Sequence, residues 1–224
     1  FADSLEEDLE RRDFTINALY YNIADFSIID FADGMRDIEA GIIRMIGDST
    51  TRYREDPVRM LRAVRFATKL NMRLDDSVAE PIRELAPLLQ NIPPPRLFDE
   101  FLKLFCAGKG QANFDMLMDY HLFQQLFPML KSFLKTPDDT PYRMLREAFG
   151  ETDERLRNQL YITPAYLFAV VLWWPFQARF EQIMLEGGLP PSDALNVAAA
   201  DVIERQLQTV AIPRRFGVVV REIW

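Results

Sequence analysis

From Gly47 onward the chain is a succession of apolar-periodic segments cut by proline and glycine, with almost no stretch alternating as a half-buried strand requires. That pattern restricts it to a mainly helical fold. Helices are predicted over residues 57–70, 78–90, 96–107 and 112–120. Beyond the turn-rich run Thr136-Pro137-Asp138-Asp139-Thr140-Pro141 they resume from about Tyr142, Pro164 and Ser192. Asp56-Pro57 is a helix start, an acidic N-cap followed by a proline where a missing N–H costs nothing. Pro93-Pro94-Pro95 holds two helices stiffly apart. Ahead of Gly47, residues 12–22 read as a helix capped by Asp13, with Ile16, Leu19 and Tyr20 at helical spacing. Residues 27–31 and 42–46, rich in β-branched side chains, read as a small β-hairpin with a long loop. The expected fold class is mainly α, a small β-hairpin followed by an all-helical remainder.

Several function classes fall away on composition. A single cysteine, Cys106, allows no internal disulfide, and its apolar surroundings mark it as a packed hydrophobe, so a reducing, cytoplasmic compartment is expected. One histidine, His121, rules out a histidine metal cluster and is expected to be packed or capping. No apolar run approaches the roughly 20 residues of a membrane helix. Phe1 and the acids from Glu6 suggest neither signal nor transit peptide, and the apolar ending at residues 218–224 suggests a chain that continues. With a net charge of −8, any nucleic-acid site must be local rather than spread over the surface.

The helix beginning at Pro57 carries the most chemistry. Successive residues turn by about 100°, so Arg59, Arg62, Arg65 and Lys69 share one arc and Met60, Leu61, Ala63, Val64 and Ala67 the other. Such a cationic row either forms a solvated network with Glu55 and Asp56 or lies along an anion that the guanidinium forks can grip. Asp56 and Arg59, three apart, pair an acceptor with a donor that could read the edge of a base. Arg11, Arg12 and Asp13 precede the predicted first helix, with Thr15 and Asn17 close behind; capping is their alternative role.

Arg11-Arg12-Asp13-Phe14-Thr15-Ile16-Asn17-Ala18, followed by Arg44-Met45-Ile46-Gly47 and the segment Arg52-Tyr53-Arg54-Glu55-Asp56-Pro57-Val58-Arg59-Met60-Leu61-Arg62-Ala63-Val64-Arg65-Phe66, resembles the bacterial poly(A) polymerase and tRNA CCA-adding nucleotidyltransferase family over residues 6–128. Ile92-Pro93-Pro94-Pro95-Arg96-Leu97-Phe98 and the segment Tyr120 to Pro128 look more like the poly(A) polymerase branch. The resemblance implies template-independent addition of AMP from ATP to an RNA 3′ end with Mg2+ as cofactor, so that ATP and RNA are the partners. It implies Asp13 as the catalytic acid beside the nucleotide sugar with Arg12 near it, Asp56 and Arg59 as the base-contacting pair, and Arg62 and Arg65 as support for the triphosphate or for the helix that holds it. Arg11, Thr15 and Asn17 complete the implied nucleotide site. It further implies a head ending at residue 50, a neck over 51–135 and a body over 136–224.

One departure matters. The family opens with a Gly-Ser turn and a metal-carrying Asp-x-Asp pair, and neither occurs in this sequence. Glu151-Thr152-Asp153 is a nearer fit to a helix N-terminal cap at a loop boundary. The chain is therefore expected to hold no metal ligands and to be inactive alone, with a CCA-adding enzyme and a noncatalytic helical RNA-binding module as the other readings. Trp173-Trp174-Pro175-Phe176 is expected in the core rather than stacking RNA bases, and Pro213-Arg214-Arg215-Phe216 is too small a basic patch to mark an RNA path.

Overall fold

The computed structural model describes residues 5–224, and the chain divides into two compact units after Leu88. Phe1 therefore lies outside the described residues, as does the side chain of Glu6. The first unit holds α1 (Leu5–Arg11), β1 (Leu19–Tyr21), β2 (Ile28–Asp30), α2 (Gly34–Ala40), β3 (Ile42–Ile43), α3 (Ser49–Glu55), α4 (Val58–Leu70), β4 (Arg73–Leu74), α5 (Asp76–Ala79) and α6 (Ile82–Leu85).

The helix predicted over 12–22 is not formed. Asp13 sits in a bend, Phe14 is extended (φ −121°, ψ 148°), Thr15–Asn17 make one 3-10 turn, and β1 follows. Tertiary pairing overrides the short helical pattern. Phe14 bridges Met45 in antiparallel fashion, and Leu19, Tyr20 and Tyr21 pair with Asp30, Ile29 and Ile28. A hairpin exists, but its strands are 19–21 and 28–30; residues 42–46 are not its second strand. Helix α2 intervenes, and Ile42-Ile43 pairs in parallel with Arg73-Leu74, a strand that no alternation announced. Gly34 opens α2 against the first motif, where a Cβ would run into the Thr15 carbonyl, and Asp30 caps that helix by accepting from the Gly34 and Met35 N–H groups at 3.0 and 2.9 Å.

Helix α4 follows its sequence closely. Met60, Leu61, Ala63, Val64 and Ala67 are all buried, each large side chain contributing about 1.5–3 kcal/mol. Asp56 is extended and accepts the Val58 N–H on its side chain at 3.2 Å and the Arg59 N–H on its carbonyl at 3.0 Å, which is N-capping geometry. The helix ends at Asn71 in the left-handed region (φ 54°). The single helix predicted over 78–90 is instead α5, α6 and a 3-10 stretch at Ala86–Asn91, because Pro81 and Pro87 each remove a donor.

The second unit is all-helical: α7 (Pro94–Phe105), α8 (Gly110–Asp119), α9 (Phe123–Leu126), α10 (Thr140–Arg157), α11 (Pro164–Val171), α12 (Trp173–Glu186), α13 (Pro191–Gln206) and α14 (Arg214–Ile223). Its core is aromatic. Phe101 stacks on Phe168 with centroids 4.4 Å apart and Phe105 on Phe149 at 4.3 Å, with Phe114, Phe123 and Phe127 packed around them. Cys106 is mostly withdrawn from water, and burial followed by the Asp153 charge pushes its thiol up to about 11, so it stays protonated at neutral pH. His121 is exposed and left-handed (φ 59°), closing α8 with N–H bonds from His121 to Met118 and from Leu122 to Leu117; it caps through its backbone and does not pack. The aromatic run at the start of α12 is split: Phe176 is buried and stacked on Trp224 at 4.4 Å, whereas Trp173 is exposed.

Asp153 does cap a helix, but not at a loop boundary. It lies inside α10 and reaches across to the N-terminus of α8, accepting from the Gly110 and Gln111 N–H groups at 2.7 and 3.0 Å. Asp153→Ala should therefore cost about 1–2 kcal/mol in equilibrium urea unfolding. A loss below a few tenths would show that those N–H groups find other partners.

Candidate nucleotide site

The bend that replaces the predicted first helix puts Asp13 at the junction of several elements of the first unit. Its carbonyl accepts the Ile46 N–H at 2.9 Å, and the Thr15 N–H donates to the Arg44 carbonyl at 3.0 Å, which pins the motif to residues 44–46. The Asp13 side chain, 7% exposed, uses both oxygens: Oδ1 accepts from the Phe14 N–H and the Asn17 amide, each at 3.0 Å, and Oδ2 accepts from Arg62 Nε on α4 at 2.5 Å. Burial alone would raise this carboxyl, but the Arg62 guanidinium, the Asn17 amide and the Phe14 N–H outweigh it and hold it below the ordinary aspartate value. An acid so held is ionised at neutral pH and is a poor proton acceptor; it fixes Arg62.

Arg62 is anchored through Nε and rests over the Phe66 ring at 5.4 Å, a ring packed edge-on to Phe14 at 5.7 Å. Among the described residues, its Nη groups make no further hydrogen bond. Arg65 also lies over Phe66, 4.5 Å from the centroid. Arg59 donates through Nη1 to the Arg52 carbonyl at 2.8 Å and to Glu55 at 3.0 Å, and Asp56 caps the same turn. The structure thus places Asp56 and Arg59 side by side but turns Arg59 toward Glu55.

Arg12 is held by Asp8 at 2.7 Å, by the Asn17 carbonyl and by the Tyr20 ring, 4.9 Å away. Arg11 ends α1 exposed to solvent. Thr15 is buried and donates to Asp37 at 2.7 Å, and Asp37 also receives Arg44 at 3.2 Å, so Thr15 stitches the motif to α2. Asn17 faces Asp13 rather than open solvent.

Two residues were not singled out from the sequence as site members. Arg52 donates to the Arg12 carbonyl at 2.6 Å and to Glu55 at 3.0 Å, and Glu55 bridges Arg52 and Arg59 with one oxygen. The spacing held the signal: Arg52, Glu55 and Arg59 stand at i, i+3 and i+7, one face across the α3–α4 junction. The network reading describes Arg52 and Arg59, which Glu55 engages, and does not extend to Arg62.

These groups do not make a metal centre. The three donors on Asp13 occupy both its oxygens, and among the described residues no group of three or more His, Cys, Asp or Glu converges on a point. What they offer is a cationic row fixed on a buried apolar face, suited to a phosphate chain. Among the described residues no helix is long and apolar enough to cross a membrane.

Residues 1–44 match the family model described as Poly A polymerase head domain, 71–134 that described as Probable RNA and SrmB- binding site of polymerase A, and 187–224 that described as Polymerase A arginine-rich C-terminus. A poly(A) polymerase I of Salmonella typhi is 49% identical over 222 residues, covering 99% of this chain and 48% of the relative. A CCA-adding enzyme of Lactobacillus johnsonii is 40% identical over 126 residues, 56% of this chain and 31% of the relative. The solved Thermotoga maritima CCA-adding enzyme complexed with tRNA aligns over 98% of this chain and 48% of its own, with a TM-score of 0.70 and 22% identity, a likeness of fold. The chain spans about half the length of the poly(A) polymerase relatives it matches.

Proposed function

The chain belongs to the tRNA nucleotidyltransferase and poly(A) polymerase family, and from that premise we propose that the full-length protein adds AMP from ATP to RNA 3′ ends without a template. The observation that carries this choice is coverage: likeness to poly(A) polymerase I runs over 222 residues, and likeness to the CCA-adding enzyme of Lactobacillus johnsonii over 126. In this proposal residues 1–50, 51–135 and 136–224 serve as the end of the head, the neck and the body.

Each side chain then has a task. Arg62, locked by Asp13, presents its Nη groups to phosphate oxygens, with Arg65 beside it on Phe66. Asp13 and Arg12 line the sugar side of the nucleotide, with Arg11, Thr15 and Asn17 shaping that wall. Asp56 and Arg59 read the adenine edge once Arg59 exchanges Glu55 for the base, and Arg52 holds the two motifs together. Mg2+, when bound to carboxylates elsewhere in the full-length protein, supplies charge stabilisation at the transferring phosphoryl group. Positioning is this chain's part, and misplacement of about 1 Å costs roughly 10²-fold.

The test is nucleotide incorporation on a short RNA by the full-length protein and by this chain, with ATP alone, CTP alone and both. Long A-only tails from the full-length protein and none from the chain are expected. Addition that stops after CCA would replace this reading with the tRNA-directed one. No addition under any condition would leave a noncatalytic RNA-binding module.

A further inference from the structure

In the second unit an open groove separates α10 from α11. Along α10 it is lined by Met144, Glu147, Ala148 and Glu151, and along α11 by Tyr166, Ala169 and Val170, each set at i, i+3, i+4 spacing. Trp173, Ile223 and Trp224 close one end, and the cavity has a volume of about 360 Å³. A neighbouring cavity of about 280 Å³ shares Glu151 and Tyr166 and extends the groove to Tyr161, which is 81% exposed. Its lining combines the small buried residues Ala148 and Ala169 with the exposed Tyr166, Trp173 and Ile223. The α11 row from Tyr166 to Val170 spans about one helical turn, roughly 6 Å, and Trp173 opens α12 beyond the turn at Leu172.

The rim of the larger cavity is acidic, and Arg155 enters only the lining of the smaller one. Glu147 and Glu151 are exposed, four apart on α10, and among the described residues neither pairs with a cation. Arg155, the next cation in register, donates instead to the Tyr161 carbonyl at 3.0 Å. A like-charge pair at this spacing destabilises its own helix slightly, and it borders apolar surface left exposed among the described residues.

We propose that this groove docks an amphipathic helix from a partner protein, with apolar anchors at i, i+3 or i+4, and i+7 against Tyr166, Val170 and Trp173, and Lys or Arg on its flank against Glu147 and Glu151. The two-turn row on α10, faced by the shorter α11 row and by Trp173, matches the helix-in-groove mode of recognition. RNA is the poorer occupant because carboxylates repel phosphate, and a second copy apposing the same face would set acidic rim against acidic rim. None of these residues belongs to the nucleotide site, so the inference stands whether or not the polymerase reading holds.

The probe is a labelled synthetic amphipathic peptide with Leu on one face at helical spacing and Lys on the flanks, titrated by fluorescence anisotropy against the full-length protein. A matched peptide with Glu flanks is the control. The Lys peptide should bind and the Glu peptide should not, with affinity falling as salt is raised. Glu147→Lys with Glu151→Lys should weaken the Lys peptide about tenfold and admit the Glu peptide. Tyr166→Ala should weaken both pairings without altering the melting curve. Equal affinity for the two peptides, an unchanged affinity in the reversed variant, displacement of the peptide by oligo(A), or loss of peptide binding as the protein self-associates would each overturn the proposal.

Discussion

Asp13→Ala in the full-length protein should lower ATP incorporation by about 10²-fold or more, with most of the loss in kcat, because Arg62 loses the one carboxylate that aims it. The same change leaves the Phe14 N–H and the Asn17 amide without their acceptor in a buried bend, at a cost of about 1–3 kcal/mol. Asp13→Asn separates the two roles. Its carbonyl can still accept from Phe14 and Asn17, but its amide would face Arg62 Nε, donor against donor, so stability should partly recover while activity should not. Acid supplies an independent check. The folded Asp13 carboxyl lies below its unfolded value, so its stabilising contribution is complete above about pH 4 and is lost as pH falls through the folded value. The stability gap between wild type and Asp13→Asn should therefore be widest near neutrality and close in acid. A gap constant from pH 7 to pH 3 would mean that folding leaves the Asp13 pKa unchanged, so that Arg62 gives the ionised form no net preference.

Phe105→Ala should be the most destabilising single truncation in the second unit, at about 3–5 kcal/mol in urea unfolding. Phe105 touches three aromatic rings: it stacks on Phe149 at 4.3 Å and contacts Phe101 at 5.1 Å and Phe123 at 6.1 Å, and through Phe149 it joins Phe114. Removing it opens a cavity among rigid rings that cannot collapse into it, because each neighbour is held by another stacked or edge-on partner. Phe105→Leu should fall between the two extremes. A cost below about 1 kcal/mol for the alanine variant would show that α7 can shift against α10 and refill the space.

What the sequence determined by itself is the part governed by local period and by chemistry carried on one helix. The arc of Arg59, Arg62, Arg65 and Lys69 opposite the buried Met60, Leu61, Ala63, Val64 and Ala67 follows from 3.6 residues per turn, and Asp56 caps its helix because acid before proline does so in any context. The mainly helical class, the turn-rich break near residue 138 and the family motifs were legible in the same way. What only the tertiary structure decided is everything that depends on partners distant in the chain. Residues 12–22 carry a helical pattern, yet bridging to Met45 and pairing with residues 28–30 gain more than one short helix would, so Asp13 enters a bend instead of a cap. The strand at residues 42–43 finds its mate thirty-one positions on, across α3 and α4, where no alternation of two residues could announce it. The Asp13–Arg62 pair, the Arg52 bond to the Arg12 carbonyl and the reach of Asp153 to α8 span separations of 49, 40 and 43 residues. Sequence periodicity fixes which face of an element is charged; which distant charge meets it is settled only when the cores have packed.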